Sequence, residues 1–270
     1  MRLITVIKQT KVYGVAALLA LTSCVVIAQQ SAAGKIPLVG NIVPTLIDNA
    51  PNPSRAGNVV KQALADYSVS IVATTQAWSG SGLRNGKFVG LIDHYSLNAQ
   101  RNGFIYSEPY MELPLHIASR LAKAVDAVRL DKLYRTSLGV ENRFANTDEL
   151  RAERSVRWAR SPDFLSNIKQ LADRRVDYII ADKFMLQEFN KMLAGINRDR
   201  LYIAREPIYK VGLSLAINSD TPNAQKIVKE FDAAVILLKE TGEYDKLLSL
   251  SSESLSLLDE ALYEEILRKW

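Results

Sequence analysis

Short apolar runs bounded by glycine and proline alternate along this chain with stretches whose apolar residues recur at helical spacing. That alternation restricts the fold to α/β layers with a largely parallel sheet. Lys35-Ile36-Pro37-Leu38-Val39-Gly40 reads as a first strand, and residues 44–57, rich in Pro, Asn and Gly, as a loop. Val59, Val60, Ala63, Leu64 and Tyr67 keep one apolar helix face, and Ser70-Ile71-Val72-Ala73 is the next strand. Trp78-Ser79-Gly80-Ser81-Gly82 predicts a turn, followed by a buried strand at Phe88–Ile92.

The pattern continues through the rest of the chain. Pro114–Ala118 and Leu138–Val140 predict strands, with helical spacing over 119–133 between them. Asn146 with Glu149 three residues later predicts a capping box and a helix from Thr147, and Phe164, Ile168 and Leu171 mark a second helix. Val176–Asp182 is a strand ending in a carboxylate. Tyr202–Ile217 is strand-rich, divided by Pro207. Ile227, Phe231, Val235 and Leu238 mark a long helix ending at Gly242, and 252–269 is amphipathic and predicts one more.

The N-terminus reads as an export signal. Arg2, Lys8 and Lys11 precede an apolar run from Val12 to Ala28, which ends in Gln29-Gln30-Ser31 without a basic cluster. Residues 1–28 predict a signal peptide, and two processing routes stay open. Val26-Ile27-Ala28 suits ordinary signal peptidase. Leu21-Thr22-Ser23-Cys24 resembles a bacterial lipobox, in which Cys24 is lipidated. Either route predicts a periplasmic protein, soluble or lipid-anchored.

Charge and cysteine content then exclude several classes. The formal charge of the 270-residue chain is +5, and a pI near 9.2 suggests an acidic partner at first sight. Removing residues 1–28 takes away three basic and no acidic residues, which leaves a charge of +2. A nucleic-acid partner is therefore not expected, and the basic run Arg151–Arg160 reads as a solvated helix face. One cysteine and two histidines allow no disulfide and no Cys/His zinc cluster. No Gly-x-Ser-x-Gly elbow, His-Glu-x-x-His helix or histidine triad supports an enzyme, and His94 reads as structural. No cofactor is expected.

One constellation carries binding chemistry. Asp93-His94-Tyr95-Ser96 ends a strand and leads to Arg101, then to Tyr106-Ser107-Glu108-Pro109-Tyr110. A hydroxyl and a guanidinium beyond a strand's carboxyl end suit an anion, since the arginine fork donates two parallel bonds to a carboxylate. Leu83-Arg84-Asn85-Gly86-Lys87-Phe88, followed by Ser96, Arg101 and Tyr106–Tyr110, resembles the signature of bacterial extracellular solute-binding proteins of family 3. These are amino-acid receptors of ABC transporters. Val176–Asp182 and Lys239-Glu240-Thr241-Gly242-Glu243-Tyr244-Asp245 are similar to later segments of that family, and the likeness covers residues 35–250.

The resemblance implies a type II periplasmic-binding-protein-like α/β fold of two lobes, with two hinge strands and a cleft between the lobes. Lobe 1 would take 35–112, lobe 2 would take 113–206, and 207–270 would return to lobe 1 and add C-terminal helices. Arg101 would grip a ligand carboxylate, with Ser96 adding a bond. Asp182 would pair with an ammonium group from the other lobe. Trp78 would lie against the ligand side chain, and Phe144 and Asn146 would meet the ligand at a helix start. Arg143 adds a positive charge near the cleft. The implied protein is a monomer that hands a small amino acid or related carboxylate to a membrane permease. A ligand-sensing module of the same fold, acting on a membrane receptor, is the alternative.

Overall fold

The computed structural model describes residues 35–51, 54–249 and 260–270. The expected signal peptide and Cys24 lie outside the described residues.

The first half of the chain builds a parallel sheet. Strand β1 (Lys35–Asn41) is central, flanked by β2 (Ser68–Thr74) and β3 (Gly90–Tyr95), both parallel to it. Helices α1 (Arg55–Ala63) and α2 (Gln76–Arg84) make the crossovers. The second half repeats this plan. Strand β6 (Ser137–Glu141) lies between β7 (Arg157–Ser161) and β8 (Tyr178–Asp182), again in parallel. Short helices α3 (Asn142–Ala145) and α4 (Asp148–Ala152) and the longer α5 (Phe164–Ala172) and α6 (Lys183–Gly195) accompany it. Every residue of β8 is buried, as expected of a strand covered on both faces.

Two long strands join the halves. Strand β5 (Met111–Ser119) pairs with β8 through Leu115–Ala118. Strand β10 (Tyr209–Asn218) pairs with β3 at its far end and, through Tyr209–Leu213, with β5. All three pairings are antiparallel, so the sheet is mixed and its order is β2-β1-β3-β10-β5-β8-β6-β7. Short strands β4 (Phe104–Tyr106) and β9 (Tyr202–Ile203) pair with β10 and β5. The chain is thus two α/β lobes linked by β5 and β10.

The final helices divide between the lobes. Ile227, Val228, Phe231 and Val235 of α7 (Ala224–Glu240) are buried in the main core, and the hydroxyl of Tyr244 in α8 (Glu243–Leu248) donates to the Tyr110 carbonyl at 2.7 Å. Between them Gly242 adopts φ +73°, which favours glycine. Helix α9 (Glu260–Lys269) instead packs on the second lobe. Its Ile266 is fully buried in a core with Phe164, Ile168 and Phe189.

Four local expectations are corrected. Residues 76–84 form a helix and not a turn. Of its two glycines, Gly82 is there for packing, because a Cβ on it would lie 2.4 Å from the Phe88 ring. Residues 119–133 form two single 3-10 turns, Ala122–Asp126 and Leu130–Leu133, and not one helix. The Val125 carbonyl accepts from Arg205 N–H at 3.0 Å, which takes it from any continuing helix. The run Arg151–Arg160 ends in the sheet-edge strand β7, where charged side chains discourage further strand pairing. Finally, Thr147 and not Asn146 stands at the N-cap of α4, and the Asn146 side chain accepts from Arg160 instead.

Candidate functional site

A cavity of about 160 Å³ lies between the lobes. Engineered apolar cavities of about 150 Å³ admit benzene, so the space suits a small molecule. Its walls come from the loop after β1 (Val43, Pro44, Asp48), the end of β6 (Glu141, Arg143), the start of α5 (Asp163, Phe164, Leu165), and Met185 and Leu262. These are the carboxyl ends of parallel strands, where open α/β sheets hold ligands. The Asp163 side chain caps α5, accepting from Ser166 N–H at 2.8 Å.

Buried charge is concentrated beside this cavity. Arg143 Nε and Nη2 donate to the two carboxylate oxygens of Glu141 at 3.0 and 3.1 Å. The guanidinium carbon also lies 4.2 Å from the centre of the Phe144 ring. Burial is the largest single influence and works against the charged guanidinium, but the charge and hydrogen bonds of Glu141 together with those of Tyr95 outweigh it and hold the group above its ordinary value. Arg143 Nη1 and the Tyr95 hydroxyl are buried with no partner at full hydrogen-bond geometry, and the two side chains interact with each other. Burial pushes that hydroxyl up to about 12, with Arg143 pulling it back.

Asp182 ends β8 with 2% exposure and caps α6, accepting from Phe184 N–H at 3.3 Å. Burial raises its carboxyl above the usual range, against the pull of Arg143 and then Arg55. Arg55 starts α1 in the first lobe and is 4% exposed. Its guanidinium carbon lies 4.0 Å from the centre of the Phe184 ring in the second lobe, and its Nε donates to the Thr45 carbonyl at 3.3 Å. Thr45 Oγ1 also reaches Met185 Sδ at 3.6 Å, so the lobes touch along this rim.

A second network closes the strand ends of the first lobe. Asn41 donates to Asp93 Oδ2 from its backbone N at 2.9 Å and its side-chain amide at 2.7 Å, and accepts from Ser79 Oγ at 3.0 Å. Burial pushes the Asp93 carboxyl up to about 6 against these bonds.

The predicted site residues fall into two groups. Asp182 and the buried Phe144 stand with Arg143, and Phe144 also meets Tyr95 edge-on at 5.7 Å. None of the six predicted site residues lines the cavity, and the other four also lie apart from Arg143 and its neighbours. Ser96 bonds β10, its N–H donating to the Gly212 carbonyl and its Oγ accepting from Gly212 N–H, both at 2.8 Å. Arg101 is exposed, and its backbone N–H donates to the Tyr106 hydroxyl at 2.9 Å. Trp78 is 72% exposed on α2. Asn146 is exposed and accepts from Arg160 Nη1 at 2.7 Å. Sequence reasoning missed Arg55 and Glu141. Glu141-x-Arg143 at a strand end was a readable signal for the ion pair, whereas nothing local marks Arg55.

Two parallel half-sheets exchanging a pair of long crossing strands define the two-lobed periplasmic-binding-protein fold. Solved structures share it. The GluR0 ligand-binding core in complex with L-glutamate matches with a TM-score of 0.61 at 12% identity, over 80% of this chain and 97% of that one. An arginine transport-system periplasmic binding protein from Legionella pneumophila matches at 0.60 and 14%, over 79% and 98%. A histidine kinase sensor domain with similarity to periplasmic binding proteins matches at 0.60 and 15%, over 80% and 95%. No protein-family model and no curated sequence matches the chain.

Proposed function

We propose that this protein is a non-enzymatic, exported solute-binding protein. It captures an amino acid or related carboxylate between its lobes and hands it to the permease of an ABC-type transporter. The observation that carries this reading is the inter-lobe cavity, walled by charged side chains of both signs from different lobes. A small zwitterion or carboxylate needs such partners, and dividing them between lobes couples binding to closure. Arg143, which lines the cavity, is the proposed carboxylate contact in place of the exposed Arg101. Phe144 backs it; the first lobe contributes Asp48 to the opposite wall, while Asp182, buried in the second lobe and not on the wall, acts on Arg143 through its charge. The Legionella pneumophila neighbour, an arginine transport-system periplasmic binding protein, supports both the transport role and the location.

A second reading, a sensory module acting on a membrane receptor, draws support from the histidine kinase sensor neighbour. A thermal-shift screen of the exported form against amino acids and small carboxylates tests the binding role. A stabilising hit is expected, because a ligand that binds only the folded state raises the melting temperature by mass action. No hit across both classes would remove the proposal. Co-purification with a permease, as against a receptor kinase, separates the two readings.

A further inference from the structure

We propose that Arg55 is a built-in occupant of the cleft, a latch that the first lobe inserts into the second and that holds the lobes together before any solute arrives. The side chain leaves α1 of one lobe, yet its cation sits on an aromatic ring at the start of α6 in the other. Only 4% of the residue is exposed. Its neighbours match what a captured organic cation receives. There is an aromatic face at 4.0 Å and a carbonyl acceptor at Thr45; burial lowers the guanidinium below its ordinary value, and the charge of the buried Asp182 offsets that only in part.

Solvation explains why such a contact latches. An arginine removed from water loses its hydration, and here the Phe184 ring and the Asp182 charge replace part of it. Here the ring and the carboxylate belong to one lobe and the arginine to the other. Separating the lobes would return Arg55 to water but leave Asp182 with fewer partners. The adjoining contact of Thr45 with Met185 lies on the same rim and closes with it. On this basis the closed arrangement does not depend on a solute for its cation, and Asp182 is already partly neutralised by the chain itself. The inference concerns the same cleft as the proposed function but needs no solute to be tested.

The test is a distance measurement across the cleft in the full chain. Exposed Lys61 on α1 and exposed Lys191 on α6 are replaced as Lys61→Cys and Lys191→Cys in a Cys24→Ser background, and spin-labelled. In the solute-free protein a single, narrow, short distance population is expected. Arg55→Met keeps the bulk but removes the charge, and should shift the population to longer distances and broaden it. Phe184→Leu removes the ring and should act in the same direction, and it serves where Arg55→Met does not fold. A solute-free wild type that is already in a long, open population overturns the proposal. So does a folded Arg55→Met or Phe184→Leu variant with an unchanged short distance. A screen that finds no solute counts against the proposed function alone, because these distances are read without one.

Discussion

Arg143 holds Glu141, two positions earlier in the chain, with a pair of parallel hydrogen bonds of 3.0 and 3.1 Å. Both side chains are withdrawn from water, at 11% and 3% exposure. Removing one member of such a pair leaves an uncompensated buried charge, which typically costs about 3–5 kcal/mol, more than the pair itself contributes. Glu141→Leu should therefore destabilise the protein by an amount on that scale, read from urea unfolding. Replacing both residues as Glu141→Leu with Arg143→Met should recover most of the loss. If the double variant is as unstable as the single one, the uncompensated charge is not the cause.

Asp93 gives a pH dependence with a definite sign. Its folded value of about 6 lies above the ordinary 3.8, so the folded state holds the proton more tightly than the unfolded chain. The associated stability is full below the unfolded value and is lost as pH rises through the folded one. A rise of about two units corresponds to about 3 kcal/mol. Asp93→Asn keeps an oxygen acceptor for Asn41 but cannot ionise. Denaturation across about pH 4 to 7 should show the variant gaining on the wild type as pH rises, with the difference levelling off near neutrality. A constant difference across that range would contradict the assigned cause.

The carboxylate contact distinguishes two arginines. With a solute found by thermal shift, Arg101→Ala should leave the shift nearly intact, since Arg101 is exposed and does not line the cavity. The Glu141→Leu, Arg143→Met double variant should lose it. Losing a charge-assisted bond to a bound anion costs about 1.5–3 kcal/mol, which is roughly a 10- to 150-fold fall in affinity. Isothermal titration of both variants checks this, and the opposite ranking would return the role to Arg101.

Helix α9 is held to the second lobe by the buried Ile266, by Trp270 packed against Phe189 at 5.3 Å, and by Lys269 bonding Asp173 at 2.6 Å. Ile266→Ala removes the centre of that contact, a truncation that costs about 2–5 kcal/mol in well-packed cores. Because the helix is terminal, the loss should appear as local undocking. Hydrogen exchange over 260–269 should accelerate while β5 and β10 keep their protection. Unchanged protection of α9 would show that Ile266 does not hold it.

Alternation of strand and helix patterns was enough to predict α/β layers, because apolar periodicity is set by the geometry of each element; the two lobes were implied by the resemblance and not by periodicity. Val59, Val60 and Ala63 on α1 and Ile227, Phe231 and Val235 on α7 are buried as their spacing predicts. Periodicity failed where a neighbour decided the conformation. Gly82 reads as a turn residue until the Phe88 ring is seen filling the space a Cβ would need. Arg157 and Arg160 read as part of a solvated helix face, and pairing of β7 with β6 made them part of an edge strand instead.

The site divides in the same way. Asp182 was legible because a carboxylate at the end of an apolar strand falls at the sheet's crevice and caps the next helix. Arg101 was equally conspicuous in sequence, but its loop leaves it exposed, a matter of the turn after β3. Arg55 carried no signal at all: one more basic residue at the end of a Pro- and Asn-rich loop. The amino-acid sequence by itself determined the α/β layers and the carboxylate at the strand end, both products of local periodicity and chain order. The tertiary structure alone decided which charges meet, since Arg55 and Phe184 are brought together only when β5 and β10 bring one lobe against the other, and burial then makes that contact matter.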